Sequence, residues 1–359
     1  MKVVLITSIY LPHIGGTEIY VYNLAKYLSD KKYEVVVISG DINIKKMIKY
    51  YDKNIKVIKL PVFSLFGIII LKNKIYKNII NNEICNADVV HLNDVKFICS
   101  FLAKKKYKYG YKLYLSSHGF FFHTRNFYMI KILYMHYIIR YLRLFNVLFC
   151  VSDNDFCIAK KYKLNNAILL FPGVDIDKYK DVRYFPSENN VFLYWGRIAA
   201  NKGLYEAINK ISLIDEEYTF YIIGNCDDIN YLNKLKKLII KKNINNKVVI
   251  LNNINDDELK NYLKKSEFII MPSLYEGFGI TLIEALSTNR KIIANKNKSY
   301  ASILNNCKCE EYIFDFTDNK SNIKNKINQL RSKSIIPKNL EEYSIESINS
   351  KLLYYYKLK

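Results

Sequence analysis

The chain has 359 residues, enough for two ordinary domains, each able to bury a core without disulfide or metal staples. Half of the residues are hydrophobic and a quarter charged, with only 12 Gly and 6 Pro, which excludes disordered, collagen-like and low-complexity classes. Lys and Arg total 55 against 33 Asp and Glu, a net charge of +22, so the surface favours polyanions: nucleic acid, an anionic membrane or phosphorylated ligands. The abundance of Lys, Asn, Ile and Tyr also fits the drift of an AT-rich genome.

Met1-Lys2 is followed at once by Val3-Val4-Leu5-Ile6, which is too short for a signal sequence and reads as a first buried strand. Further β-branched apolar runs follow at 35–39, 55–60, 88–92, 112–116, 147–151 and 167–171. Stretches with helical spacing lie between them, including 17–28 and 126–144. That alternation predicts a parallel sheet covered by helices on both faces. Phe171-Pro172-Gly173-Val174-Asp175 interrupts it and reads as a connector. The alternation restarts with runs at 191–195, 218–223, 248–251, 267–271 and 291–294.

The expected organisation is therefore α/β, with Rossmann-like domains over 1–172 and 173–338. A C-terminal helix within 339–359 is expected to pack on a domain surface. Two such domains would face each other across a cleft at their strand C-termini, where ligands bind. The most apolar run, 62–71, is far short of the ~20 residues of a spanning helix. The seven cysteines show no C-x-x-C and no paired spacing, so they read as free thiols in a reducing cytosol, without a zinc site.

Four segments carry chemistry. Gly15-Gly16-Thr17-Glu18 follows the first strand and opens a helix, whose free N–H groups and dipole suit a diphosphate; a plain turn capped by Thr17 explains it equally well. Gly196-Arg197 and Lys202-Gly203 flank one strand-to-helix loop, an Arg fork and a Lys point charge fit to clamp phosphate, or else two solvated cations. Ser273 to Glu284 is the third. Its Glu276 and Glu284, eight apart, fall about 80° out of register on one continuous helix. They converge on a ligand only if Glu276 lies in a loop made by Gly277 and Gly279 while Glu284 lies inside a helix that begins near Gly279–Thr281. Ser117-His118-Gly119 through His123 is the fourth, two histidines around an aromatic run after a strand.

In this order, the segments resemble glycosyltransferase family 4 with the GT-B fold. Residues 10–18 look like its opening motif, Gly196-Arg197 with Lys202-Gly203 like its phosphate loop, and Glu276 to Glu284 like its E-x7-E element. The run from His118 to Thr124 further resembles mannosyltransferases that act on polyprenyl-diphosphate-linked sugars in exopolysaccharide or O-antigen assembly. The resemblance implies transfer of a hexose, mannose favoured, from a GDP- or UDP-linked donor with retention. No cofactor and no metal are implied.

By resemblance, Arg197, Lys202 and the Gly16 N–H would hold the leaving diphosphate. Glu284 would bind the ribose, Glu276 the sugar hydroxyls, and His118 would sit by the reacting carbon. Gly15, Gly196, Gly277, Phe278, Gly279, Ile280, Thr281 and His123 would complete the donor pocket. A front-face attack is implied, the alternative being Glu276 as nucleophile. The sequence departs from the family after Glu284. Asn289 stands where a capping Gly is usual, Lys291 replaces a Pro, and 295–300 lacks the usual glycines.

The basic aromatic stretch 126–144, with Lys104-Lys105-Lys106-Tyr107-Lys108, reads either as a core helix with a solvated face or as a surface for an anionic leaflet beside a lipid-diphosphate-linked saccharide acceptor. The run 63–71 has the same two readings. The expected location is cytoplasmic, peripheral at the inner leaflet. Two other functions fit: a sugar-nucleotide epimerase or soluble-acceptor synthase of the same fold, and a basic nucleic-acid-binding protein. Against the last, no nucleic-acid module is recognisable and Glu276 and Glu284 would repel a phosphate backbone, so no nucleic-acid partner is expected.

Overall fold

The computed structural model describes residues 1–13, 15–120, 128–226 and 228–358. The chain divides into two compact units, Met1–Gly173 with Ile345–Lys359, and Val174–Ser344.

The first unit holds nine strands among the described residues: β1 (Lys2–Thr7), β2 (Glu34–Asp41), β3 (Ile48–Asp52), β4 (Ile55–Leu65), β5 (Ile68–Leu71), β6 (Val89–Asn93), β7 (Lys112–Ser116), β8 (Val147–Cys150) and β9 (Ala167–Leu169). Their order is β3-β4-β2-β1-β6-β7-β8-β9, with β5 paired to β4. β1, KVVLIT, is buried along its whole length because helices cover both faces of the sheet. On one face lie α2 (Tyr76–Ile84), α3 (Cys99–Tyr109), α4 (Tyr128–Leu142) and α5 (Asp153–Lys161), contributing Ile80, Leu102, Met135, Ile138 and Ala159 to the core. The other face is covered by α1 (Gly16–Asp30) and the C-terminal helix, with Val21, Leu24, Leu28, Ile348 and Leu352.

The second unit is a six-stranded parallel sheet among the described residues. Its strands are β10 (Val191–Trp195), β11 (Thr219–Ile223), β12 (Val248–Leu251), β13 (Phe268–Met271), β14 (Lys291–Asn295) and β15 (Ile313–Phe314), in the order β12-β11-β10-β13-β14-β15. Its helices are α6 (Leu204–Ile211), α7 (Ile229–Lys241), α8 (Asp256–Lys265), α9 (Ile280–Ser287), α10 (Lys298–Asn306) and α11 (Ile323–Arg331). α8 starts on a capping box, in which Asn255 accepts from the Glu258 N–H and Glu258 accepts from the Asn255 N–H.

The last helix, α12 (Ile345–Lys357), belongs to the first unit. The Tyr114 hydroxyl donates to the Tyr355 carbonyl at 2.6 Å, and Lys112 Nζ donates to the Tyr356 carbonyl at 3.1 Å. Tyr356 shares a buried hydrogen bond with His91 of β6. Burying a side chain such as Leu352 contributes on the order of 1.5–3 kcal/mol, so α12 is an integral layer of this unit.

Some elements differ from the sequence-based expectation. The strand expected at 55–60 continues to Leu65, turns at Phe66 and Gly67, and returns as β5. The antiparallel strand β3 was not expected, since its burial pattern is almost wholly exposed and lacks a hydrophobic period. Among the described residues, no helix is long and apolar enough to cross a membrane. All seven cysteines are free.

Candidate active site

The second unit builds its site at the C-terminal ends of β10 and β13. β10 is an apolar run, VFLYW, fully buried in the middle of the sheet. The chain leaves it through Gly196, whose φ of 138° few L side chains adopt. The loop ends at Gly203 (φ 65°), where a Cβ would stand 2.1 Å from the Pro272 carbonyl oxygen after β13. Backbone contact therefore presses the 196–203 loop against the 272–279 loop. The Leu274 and Tyr275 N–H groups both donate to the Asn201 carbonyl, at 3.0 and 3.3 Å.

That docking brings Lys202 to Glu276, with 2.6 Å between Nζ and Oε2. Arg197, on the same loop, is exposed; its carbonyl accepts from the Tyr194 hydroxyl at 2.8 Å. Asn295 and Asn297 both donate side-chain N–H groups to the Ser273 carbonyl, at 3.1 and 2.8 Å. Ser299 Oγ donates to the Glu276 carbonyl at 2.9 Å. The segment that lacks the family's glycines thus straps the glutamate loop by side-chain hydrogen bonds. Asn289 takes the left-handed cap conformation its position requires, φ 55°.

α9 begins at Ile280 with Gly279 as N-cap, φ 111°. A Cβ at Gly279 would meet the Tyr300 ring at 3.0 Å, so glycine is needed both for conformation and for space. Gly277 has open space around it, and Phe278 is buried against Tyr343, ring centroids 6.1 Å apart. Thr281 is half-buried and Ile280 exposed at the helix start. α9 begins four residues after Glu276, and the N-terminal end of a helix carries positive potential.

Glu284 lies inside α9 and forms a separate station. Burial pushes its carboxyl up to about 7; Lys178 and a hydrogen bond from Trp195 oppose that shift, while Asp256 and Asp175 add to it. Lys178 pairs with Asp256 at 2.9 Å, and the Tyr179 hydroxyl donates to the same carboxylate at 3.2 Å. Lys178, Tyr179, Trp195 and Asp256 had no motif to announce them; they are assembled from a connector, a strand end and the start of α8.

In the first unit, Gly15 caps α1 in an extended conformation and no side chain caps the helix. Thr17 is therefore not the N-cap, and the capped-turn reading is corrected. The reason is that the helix already starts at Gly16, placing Thr17 inside its first turn. Gly16 faces open space, whereas a Cβ at Gly15 would stand 2.5 Å from a Glu18 carboxylate oxygen.

His118 follows β7 in a turn with three consecutive positive φ values: 40° at His118, 97° at Gly119 and 42° at Phe120. Two of these residues are not glycine, a conformation that costs energy. The buried carboxylate of Asp155 on α5 holds the turn, accepting from Ser117 Oγ at 2.5 Å and from the Gly119 N–H at 2.9 Å. The His118 ring meets the edge of Tyr20 on α1 at 4.9 Å between centroids. Tyr20 and Ser116 hydroxyls are 3.1 Å apart, and Ser116 Oγ lies 3.0 Å from His91 Nε2. Asp155 was missed because nothing in its local sequence marks it. His123 lies outside the described residues.

The fold is shared widely. A sucrose-phosphate synthase from Thermosynechococcus elongatus superposes with a TM-score of 0.75 at 15% identity, covering 99% of this chain and 98% of that one. The Anabaena protein HepE, solved in complex with UDP and glucose, superposes at 0.71 with 15% identity and coverage of 99% and 98%. Two parallel-sheet α/β units with this connectivity define the GT-B class of glycosyltransferases.

In sequence, the profile for Glycosyltransferase Family 4 matches residues 14–178 and that for Glycosyl transferases group 1 matches residues 175–347. The chain belongs to the group 1, family 4 glycosyltransferases. It is 28% identical to an uncharacterized glycosyltransferase of Methanocaldococcus jannaschii over 306 residues, 82% of this chain and 78% of that protein. It is 29% identical to the GDP-mannose:cellobiosyl-diphosphopolyprenol alpha-mannosyltransferase of Xanthomonas oryzae pv. oryzae over 211 residues, 57% of this chain. That match spans 55% of the Xanthomonas enzyme, about half its length.

Proposed function

We propose that this glycosyltransferase moves a hexose, mannose first among the candidates, from a nucleotide sugar to a lipid-diphosphate-linked saccharide with retention and without a metal. The observation that carries the reading is the Lys202–Glu276 contact in the loop before α9, with Glu284 inside the helix that follows. This gives a cation and helix N–H groups for a diphosphate, a carboxylate for sugar hydroxyls, and a second carboxylate for the ribose. The name of the Xanthomonas relative, with GDP-mannose as donor and a polyprenol-linked acceptor, supports the choice of substrates.

In this reading, departure of the nucleoside diphosphate builds negative charge on its phosphate oxygens. Lys202, Arg197 and the α9 N-terminus stabilise that charge where it develops. Glu276 orients the donor sugar; its engagement by Lys202 fits a hydroxyl acceptor better than a nucleophile. His118 and the Gly16 N–H keep the roles that the family resemblance implies for them. The acceptor's lipid implies work at the cytoplasmic leaflet, with the chain bound peripherally.

A thermal-shift panel of UDP, GDP, ADP and their sugar conjugates, with and without EDTA, tests the donor. A ligand at 100 times its Kd adds about 2.7 kcal/mol of stability. Stabilisation by GDP and GDP-mannose in EDTA is expected. Preference for UDP would transfer the donor assignment to a UDP-sugar, and no response to any nucleotide would overturn the reading.

A further inference from the structure

We propose that the first unit docks on an anionic lipid bilayer through one surface, made of the β4–β5 hairpin tip and the outer stripe of α4. The inference rests on the lipid-linked acceptor proposed above and gives it a place on the molecule.

The hairpin is the first observation. β4 pairs with β2 only as far as Pro61; residues 62–65 continue past the sheet and pair with β5 alone. The overhang projects from the C-terminal edge of the parallel strands. Three large apolar side chains of the overhang and its turn are exposed: Phe63 is 41%, Leu65 47% and Phe66 45% exposed. The turn uses Phe66 at φ 51° and Gly67 at φ 83°. Such turns normally take Asn, Asp or Gly at both positions. A bulky aromatic, nearly half of it exposed, stands where the backbone favours a small polar residue.

The second observation is α4. Its inner face, Met135, Ile138 and Leu142, is fully buried. Its outer face carries Met129 and Leu133, each 68% exposed, then Tyr137 and Arg140. The spacing of 4, 4 and 3 residues makes these one stripe. The helix is apolar on both sides, which a surface helix in water is not.

Hairpin and helix are linked through α3. The Ile69 N–H donates to the Lys96 carbonyl at 3.0 Å, and Ile69 bridges to Phe97, just before α3. α3 packs beside α4, with Lys104 over the Tyr141 ring at 5.6 Å. Both helices follow parallel strands, so both begin at the sheet's C-terminal edge, which puts Met129 and Leu133 on the hairpin's side. Ligands of parallel sheets bind at that edge.

Charge selects the occupant. Residues 95–152 contain ten Lys and Arg and no Asp or Glu; residues 53–82 contain six Lys and no Asp or Glu. Lys74, Lys77, Lys104, Lys108 and Arg140 are exposed around the apolar stripe. A second copy would set cations against cations. A nucleic acid would meet the cations but leave Leu65, Met129 and Leu133 in water. An anionic bilayer satisfies both, with headgroups for the lysines and acyl chains for the tip.

The test is flotation of the full chain with phosphatidylcholine vesicles with or without phosphatidylglycerol, at low and high salt. The wild type is expected to float with the anionic vesicles and to be released partly by salt. Phe63→Ser/Leu65→Ser/Phe66→Asn should cut partition at least about tenfold, as should Lys104→Glu/Lys108→Glu. Both variants should keep the wild-type Tm and its shift with nucleotide, because these side chains face solvent. Wild-type flotation by both variants would overturn the footprint. So would failure of the wild type to float, a self-association abolished by the same changes, or binding of labelled single-stranded RNA with the same sensitivity. Flotation without any nucleotide response would keep the footprint and defeat the transferase reading; nucleotide response without flotation would do the reverse.

Discussion

Lys202 and Glu276 meet at 2.6 Å although 74 residues separate them in sequence, and each side chain is only about one-sixth exposed (17% and 16%). A donor diphosphate that takes up Lys202 must share or replace this carboxylate. In the proposed reaction the pair would couple phosphate binding to sugar binding. Lys202→Ala should weaken nucleoside diphosphate binding by about 10–100-fold, the range of a charge-assisted hydrogen bond, and should weaken the monophosphate far less. Glu276→Ala should leave diphosphate affinity within about threefold but lower kcat by at least about 100-fold. Calorimetry with nucleotides and a transfer assay separate the two; equal effects of both changes on diphosphate binding would defeat the assignment.

Glu284 titrates close to neutral pH. Its carboxyl is raised from 4.5 to about 7, so the folded chain holds a proton that the unfolded chain releases. That contribution to stability is present in full below pH 4.5 and is lost as pH rises to about 7. Ribose hydroxyls donate hydrogen bonds and so favour the ionised carboxylate. Nucleoside affinity should therefore fall as pH drops from 8 to 6, by up to about tenfold. Glu284→Gln should flatten the pH dependence of both Tm and nucleotide affinity. An unchanged pH profile in that variant would show that another group titrates.

Asp155 holds the left-handed turn at 118–120 through Ser117 and the Gly119 N–H. Asp155→Ala leaves a buried hydroxyl and a backbone N–H without that acceptor, at about 1–3 kcal/mol. The expected signature is a lower Tm, a kcat reduced towards that of His118→Ala, and an unchanged KM for the nucleotide sugar. A variant that loses stability but keeps wild-type kcat would confine Asp155 to a structural role.

Two glycines are set by backbone contact. A Cβ at Gly203 would stand 2.1 Å from the Pro272 oxygen, and one at Gly224 would stand 1.8 Å from the Gly196 oxygen. Alanine at either site should cost about 1–3 kcal/mol or more and should loosen the 196–203 loop with it. Gly277→Ala meets nothing within 4 Å and should leave Tm nearly unchanged while altering turnover. Unfolding curves compare the three directly.

The alternation of apolar and helical runs was legible as two α/β units because parallel strands, buried on both faces, write themselves as short continuous β-branched stretches. The loops after 191–195 and 267–271 were legible for a related reason: Gly196, Gly203 and Gly279 are needed where the backbone turns left-handed or approaches another strand, and only glycine serves there. Asp155 was not legible, because an isolated carboxylate early in a helix looks like any other first-turn acid. Nor was the strap of Asn295, Asn297 and Ser299, whose role depends on a carbonyl more than 20 residues away.

By itself, then, the sequence determined the strands, the helices, the glycine-bound loops and which cations and carboxylates sit on them, since those follow from local periodicity and from glycine's freedom of φ. Only the tertiary structure decided that Lys202 and Glu276 form one pair, that Glu284 is enclosed by Trp195 and Lys178, and that α12 covers the first sheet. The physical reason is that charge–charge distance and desolvation are properties of surroundings, and those surroundings are supplied by strands and loops far apart in the chain.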